Sequence, residues 1–160
     1  LLTNEDRTAS CAADLSQDSV QLGGVTQALT GRYIRRFGEN AYVLYDQNER
    51  GKMTLTLCDG TMKQLSNKVF GSDHSSSLEN HRAYLTDAEA DLLTLTADDS
   101  YCIYGYNEEQ GIFLRADVYL NDWPWNAEGI RIGEYLYLVD TKDVRVLSLS
   151  ELKELTSLPL

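Results

Sequence analysis

Two histidines are the side chains whose type and neighbours come closest to supporting nucleophilic or metal chemistry. His74 and His81 lie in or beside a serine-rich segment, and Asp73 and Glu79 are close to them along the chain. A serine nucleophile needs a histidine that is itself oriented by a third group, and closeness in sequence does not supply that geometry. We therefore interpret the segment as a solvated loop and predict neither a catalytic nor a metal site in it.

Two pairs of adjacent carboxylates, Asp98-Asp99 and Glu108-Glu109, are of the type that acid–base chemistry on sugars requires. Neighbouring residues on a strand point to opposite faces, so an adjacent pair does not converge on one substrate. Glu108 and Glu109 also fall in a predicted turn, where water keeps both side chains ionised. We therefore predict that the protein is not an enzyme and uses no cofactor. A carbohydrate-active enzyme or sugar-binding module is kept as an alternative.

Three cysteines, Cys11, Cys58 and Cys102, permit one disulfide, and the sequence does not choose among the three pairings. None belongs to a Cys-x-x-Cys unit, so thiol redox chemistry and metal binding are not predicted. None of the eight asparagines lies in an Asn-x-Ser/Thr glycosylation site. We expect a bacterial protein of the periplasm or another extracytoplasmic compartment, with the cytoplasm as the alternative.

The distribution of charge is strongly uneven. The 160 residues include 25 acidic and 14 basic ones, a formal net charge of −11. Twelve of the acids and only two of the bases lie between Asp73 and Glu128, so this third of the chain carries a charge of −10. Such a surface repels phosphate backbones, and no apolar run approaches the roughly 20 residues that a membrane-spanning helix needs. We therefore predict neither nucleic-acid binding nor a membrane span.

Strands are the elements that must position these residues. From Tyr33 onward, β-branched and aromatic residues recur with period two between short polar turns, which is typical of an antiparallel meander. The alternation places Met53, Leu55 and Leu57 on one face of a strand. The Asp59-Gly60 dipeptide that follows predicts a tight hairpin turn of type I′.

Two capping-box patterns predict short helices. Thr86 and Glu89, three residues apart, predict a helix from Asp87 to about Leu93. Ser148 and Glu151 repeat the spacing and predict a helix from Ser150 to Thr156 that closes the chain.

Together these elements predict a mainly β fold, an antiparallel sandwich or barrel of about eight to ten strands built from hairpins, with one or two short helices. Residues 1–30 are predicted to form a partly irregular N-terminal extension, and residues 31–160 a single all-β domain with a short C-terminal helix. Three segments, Asn40–Tyr45, Asp99–Tyr104 and Gly133–Leu138, align without gaps. Duplicated units and the ordinary composition of tyrosine-rich hairpins both explain this similarity.

Two short motifs resemble those of lipocalins: Gly31-Arg32-Tyr33 near the first strand, and Asp98-Asp99-Ser100-Tyr101 followed by Tyr104. The resemblance implies a closed barrel that carries a small ligand in an apolar cavity of ~300–1,000 Å³, which is an alternative function. The sequence departs from the family at Tyr33, where lipocalins have tryptophan, and it lacks their long C-terminal helix. No ligand-binding residue is therefore assigned from the resemblance.

Aromatic residues are interspersed among the acids of the −10 segment. Pro124 holds Trp123 extended between acidic neighbours, so we expect at least one indole of Trp123-Pro124-Trp125 to be exposed. Aromatic anchors surrounded by charge are typical of protein interfaces. We therefore predict a protein that binds and blocks a basic protein, as an immunity protein or inhibitor of a bacterial toxin or cell-wall hydrolase. The predicted partner-binding residues are Asp98, Asp99, Tyr104, Tyr106, Glu108, Glu109, Asp122, Trp123, Trp125 and Glu128.

Overall fold

Strands make up most of the regular structure. The structure, a computed structural model, describes residues 2–3, 9–11, 13–14, 21–22, 26–27, 33–47, 52–70, 81–97, 99–120 and 127–160. In that part of the chain the one helix is a 3-10 turn, His81–Ala83. All strand pairs are antiparallel, so the prediction of a mainly β, antiparallel protein is confirmed.

Five short strands in the first 27 residues form two small sheets. They are β1 (Leu2–Thr3), β2 (Ala9–Cys11), β3 (Ala13–Asp14), β4 (Gln21–Leu22) and β5 (Thr26–Gln27). Strands β1, β2 and β5 pair in that order, and β3 pairs with β4.

Twelve further strands form three consecutive four-stranded meanders. Sheet I consists of β6 (Tyr33–Phe37), β7 (Ala41–Gln47), β8 (Met53–Asp59) and β9 (Gln64–Val69). Sheet II consists of β10 (Thr86–Asp87), β11 (Leu92–Ala97), β12 (Ser100–Asn107) and β13 (Gly111–Tyr119). Sheet III consists of β14 (Glu128–Ile132), β15 (Tyr135–Val139), β16 (Asp143–Ser148) and β17 (Glu154–Pro159).

In each of these sheets the strands are hydrogen-bonded in chain order. Within the described residues no edge strand of one sheet pairs with a strand of another, so the three sheets remain open. The closed barrel, which was one of the two predicted architectures, is therefore not formed. The strands also outnumber the eight to ten expected, because the sequence patterns did not separate the short strands from turns.

Sheet II lies between sheets I and III and is buried on both faces. One face contributes Leu93, Leu95, Cys102 and Tyr104 to a cluster with the sheet I residues Val43, Tyr45, Met53, Leu55 and Leu57. The other face contributes Leu92, Tyr101 and Ile103 to a cluster with the sheet III residues Leu136, Leu138 and Leu147. Alternate residues of β11 and β12 thus face different neighbours, as the pleat of a strand requires. The prediction that Met53, Leu55 and Leu57 share a buried face is confirmed.

Two arginines of sheet III bind groups on sheet II. Arg131 donates from Nη1 to the carboxylates of Asp87 at 2.8 Å and Glu89 at 3.0 Å. Arg145, which is almost fully buried, donates from Nη1 to the carbonyl of Tyr119 at 2.6 Å. Because both arginines lie on the face of sheet III that contacts sheet II, they add polar contacts to the apolar interface between these sheets.

The Asp59-Gly60 hairpin is present, but its turn is not type I′. Strands β8 and β9 are joined by residues 60–63, and the left-handed residue is Met62, with φ 66°, not Gly60. The Asp59 carboxylate accepts hydrogen bonds from the amides of Thr61 and Lys63, both at 2.9 Å. The dipeptide therefore predicted the hairpin correctly and the turn type incorrectly, because the aspartate side chain closes a longer loop.

The predicted helix from Asp87 to about Leu93 is wrong. The Asp87 side chain accepts hydrogen bonds from the amides of Glu89 and Ala90, and Asp91 has φ 52°, which directs the chain into β11. The capping-box spacing does not distinguish this turn from the start of a helix. In both structures, the side chain of a short polar residue accepts hydrogen bonds from the amides that follow it.

The predicted helix from Ser150 to Thr156, and with it the short C-terminal helix, is also wrong. The Leu152 amide donates to the Ser148 carbonyl at 2.8 Å and closes one turn. Leu152 itself has φ 52°, which ends the turn, and the chain continues as β17.

Sheets I and III share a local motif that the sequence also shows. Arg36-Phe37-Gly38-Glu39 and Arg131-Ile132-Gly133-Glu134 each join the first strand to the second. In both motifs the glycine has positive φ, 69° and 59°, and the arginine Nε donates to the glycine carbonyl. All three sheets, moreover, have a register shift between their third and fourth strands. The sheets are therefore structural repeats.

The gapless alignment of tyrosine-rich segments does not match equivalent strands. Asn40–Tyr45 and Gly133–Leu138 contribute to second strands, β7 and β15, whereas Asp99–Tyr104 contributes to the third strand β12. The three sheets thus repeat one architecture, but the aligned segments do not occupy equivalent positions in it, and duplication of the sequence stays a prediction.

We expect Gly129→Ala to lower the free energy of unfolding by about 1–3 kcal/mol, because the new methyl group overlaps the buried hydroxyl of Tyr101. That hydroxyl is held by a 2.7 Å hydrogen bond to Thr94 and has no room to withdraw. Gly60→Ala is the matched control, since an added Cβ there meets only ordinary contacts and Gly60 does not have positive φ. Urea unfolding of the three proteins tests this, and equal stability of Gly129→Ala and wild type would contradict the packing of β14 on Tyr101.

A second prediction concerns the ion pairs of Arg131. Burial by itself raises the pKa of Asp87, but hydrogen bonds from Arg131 and from the amides of Ala90 and Glu89 outweigh it, so the pKa is lowered. The contribution of Asp87 to stability is therefore complete above its unfolded pKa of about 3.9 and is lost as the pH falls through the lower folded value. We expect Asp87→Asn to be less stable than wild type at pH 7, with the difference disappearing in acid.

The control for this prediction is Glu89→Gln, because the Glu89 side chain is largely exposed and contributes little to stability. Denaturant unfolding at several pH values measures both variants. A deficit of Asp87→Asn that persists unchanged in acid would show that the carboxylate charge is not its cause.

Candidate functional site

The turns and connections of the sheets lie at two opposite ends of the strands. The hairpin end carries the turns that join the first strand to the second and the third to the fourth in each sheet, at residues 38–40, 60–63, 88–91, 108–110, 133–134 and 149–153. The connection end carries the turns between second and third strands and the segments that link one sheet to the next. In sheet II, Asp99 lies at the connection end and the turn after β12 lies at the hairpin end.

The structure does not bring all the predicted partner-binding acids together. Glu108 and Glu109 are exposed in the turn after β12, as expected, whereas Asp99 is exposed before the start of the same strand. The full length of β12 separates them, roughly 25–30 Å at about 3.3 Å per residue. One small contact area therefore cannot include both groups.

Two predicted contact residues belong to the apolar interior. Tyr104 is buried against sheet I, with its ring edge-on to Phe70 at 5.0 Å between centroids, and burial raises the pKa of its hydroxyl. Tyr106 is partly buried against the same cluster, and its amide donates to the Asp91 carboxylate at 2.8 Å. Tyr104 and Tyr106 are therefore not part of the surface that we propose for partner binding.

Four predicted contact residues, Asp98, Asp122, Trp123 and Trp125, lie outside the described residues, as does the serine-rich segment with His74. Their role in partner binding stays a prediction. Trp123 and Trp125 also carried the carbohydrate alternative, which stays untested for the same reason.

Two residues that the sequence interpretation did not select, Asp117 and Tyr119, lie beside Asp99. The Leu120 amide donates to the Asp99 carbonyl at 2.7 Å, and Ser100 is paired with Tyr119, so the end of β13 adjoins the start of β12. Tyr119 is 62% exposed, and Asp117 is exposed two residues before it on the same face of the strand. Period-two alternation along β13 was the signal that would have grouped them. We call Asp99, Asp117 and Tyr119 the acidic end of sheet II.

The charges of the acidic end are not neutralised by ion pairs within the described part of the chain. No salt bridge there involves Asp99 or Asp117. Glu128, also at the connection end, lies 3.6 Å from Arg82, whose side chain is 69% exposed. An exposed pair of this kind is worth little, so Glu128 is available to another cation.

Two kinds of chemistry, metal binding and thiol chemistry, can be checked in the described residues. These residues contain no group of three or more His, Cys, Asp or Glu side chains arranged to hold a metal ion. Cys58 and Cys102 are buried and form no disulfide among the described residues. Burial together with the nearby Asp59 charge raises the pKa of Cys58 to about 11, which keeps its thiol protonated near neutral pH. Across these same stretches of chain, no helix has the length and apolar character needed to cross a membrane.

No protein-family model matches the chain, and no curated protein has a significantly similar sequence. A function is therefore inferred from the geometry and charge of the acidic end.

Proposed function

We propose that the protein is a non-enzymatic binding protein that takes a basic protein partner at the acidic end of sheet II and blocks it. The most specific form of the proposal is an immunity protein or inhibitor that neutralises a bacterial toxin or cell-wall hydrolase outside the cytoplasm. The observation that carries it is an exposed aromatic side chain, Tyr119, on the same face of β13 as the exposed Asp117 and at the end of the strand that adjoins the backbone of the exposed Asp99. Neither acid has a salt bridge within the described residues.

Charge supports the proposal in two ways, through attraction before contact and through pairing at contact. The segment between Asp73 and Glu128 carries −10 of the chain's −11, so its field attracts a cationic protein before contact. At contact, carboxylates without a salt bridge can pair with lysine or arginine without first breaking one. An exposed tyrosine supplies contact area that is apolar on its ring and polar at its hydroxyl.

The lipocalin-like alternative has no comparable support. Its ligand would need the interior of a closed barrel, whereas sheets I, II and III are open and pack directly on one another.

We expect Tyr119→Ala to accelerate dissociation of a basic partner and to cost about 2–4 kcal/mol of binding free energy, the range of an interface hot spot. Leu114→Ala is the matched control, because Leu114 is 50% exposed on the same strand near the hairpin end. Surface plasmon resonance against a basic lysozyme, with cytochrome c as a basic protein that is not a hydrolase, measures both variants. Equal effects of the two truncations would place the contact elsewhere.

We also expect the double variant Asp99→Asn/Asp117→Asn to slow association and weaken its salt dependence, because it removes charge at the contact. Glu108→Gln/Glu109→Gln removes the same amount of charge at the opposite end of sheet II and should have a smaller effect. Association rates at low and physiological ionic strength separate the two. If both variants slow association equally, the attraction depends on net charge and not on the acidic end.

The blocking activity needs its own measurement. The wild-type protein should slow the clearing of a cell-wall suspension by the lysozyme, and Tyr119→Ala should slow it less. Binding without inhibition would support a basic partner and contradict the inhibitor function, and no binding to either basic protein at low salt would contradict both.

A further inference from the structure

Sheet III has an apolar face that nothing in the described structure covers. One side of the sheet packs on sheet II, whereas the apolar side chains of the opposite side include four that are exposed and others that are half-buried. Strand pairing aligns Ile130 with Tyr137 and Val146, and Ile132 with Tyr135. A contiguous apolar patch of this kind is unusual on a monomer surface. We call this surface the trailing face; it consists of Ile130, Ile132, Tyr135, Tyr137, Val146 and Leu158.

Sheets I and II use the same face to hold the next sheet. In the shared Arg-x-Gly-Glu motif, Phe37 of sheet I corresponds to Ile132 of sheet III, and each is paired with the first residue of the second strand. Phe37 and its partner Ala41 pack against the cluster that joins sheet I to sheet II. Leu92, the first residue of the second strand in sheet II, belongs to the cluster that joins sheet II to sheet III. In both cases, the sheet that covers this face is the next repeat along the chain.

We propose that the trailing face of sheet III docks a further four-stranded antiparallel sheet of the same repeat. Successive blades of a β-propeller are four-stranded sheets arranged in this way. The established interfaces define the chemistry of the occupant: a face rich in leucine, such as sheet III presents to sheet II through Leu136, Leu138 and Leu147.

The hairpin end indicates a polar contact that the occupant would add. The first turn of sheet II holds Arg131 of sheet III through Asp87 and Glu89. The first turn of sheet III carries the exposed Glu134 in the corresponding position. A docking sheet with an arginine in the position of Arg131 would pair with Glu134, and sheet III itself has both this arginine and a leucine-rich face.

The test uses the full chain and a tandem chain in which a second copy of residues 121–160 follows Leu160. Ile132→Cys places a thiol at the most exposed side chain of the trailing face, 60% exposed. Labelling by a thiol reagent, quantified peptide by peptide, should be about tenfold or more slower in the tandem chain, since a docked sheet must open before the thiol reacts. Leu114→Cys, on β13 and outside the trailing face, should react equally in both chains.

A second variant separates docking from misfolding of the added copy. Tyr137→Lys in the first copy puts a charge at the centre of the trailing face and should restore fast labelling of Ile132→Cys in the tandem chain, with cooperative unfolding of the original chain retained. Equal labelling of Ile132→Cys in the single and tandem chains would overturn the proposal. So would protection that develops in the single chain as its concentration rises, because it would identify a second copy of the chain as the occupant.

Discussion

Burial of both faces of sheet II is the constraint on which the rest of the structure depends. Residues Leu92 to Thr96 of β11 are all buried, so no face of that strand is available to water. Each fully buried leucine contributes about 1.5–3 kcal/mol, which is lost if the sheet that it faces is removed. Two buried polar groups in this layer satisfy each other, since the Tyr101 hydroxyl donates to the Thr94 hydroxyl at 2.7 Å. Sheets I and III are therefore required for sheet II to fold as it does.

The same constraint fixes where the negative charge lies. Because both faces of sheet II are covered, its described acids occupy the turns and the outer strand β13. Those in the first turn are neutralised locally, Asp87 and Glu89 by Arg131, with Arg115 next to Asp91. At the connection end, Asp99 and Asp117 have no salt bridge within the described residues. The negative charge of the described acids therefore lies at the rim of sheet II, mainly at the two ends of its strands.

How much of this the sequence could predict depends on the local pattern. Clean alternation identified the buried face of β8 through Met53, Leu55 and Leu57. The run Leu92–Thr96 lacks alternation because both sides of the strand are buried, and it follows a capping-box spacing, so it was interpreted as part of a helix. For the site, Asp99 and the turn at Glu108 were placed in the correct local structures. Their separation by the length of β12 is a tertiary property, and Asp117 and Tyr119 were missed because motifs of adjacent residues were sought.

The repeat explains why the proposed binding site lies at the connection end. Stacking occupies the faces between successive sheets, so the edges, the two ends and the trailing face of sheet III stay accessible. At the hairpin end, Gly38 lies so close to Ala88 that an added Cβ would be 3.3 Å away, and Arg131 bridges to the turn of sheet II. Substitutions there disturb sheet packing. At the connection end, Arg145 of sheet III also reaches sheet II, but it binds the backbone carbonyl of Tyr119 and leaves the Tyr119 side chain exposed. A change of side chain at Tyr119 therefore leaves this bond in place, and the residues proposed to bind a partner can vary at lower cost to stability than the residues that stack the sheets.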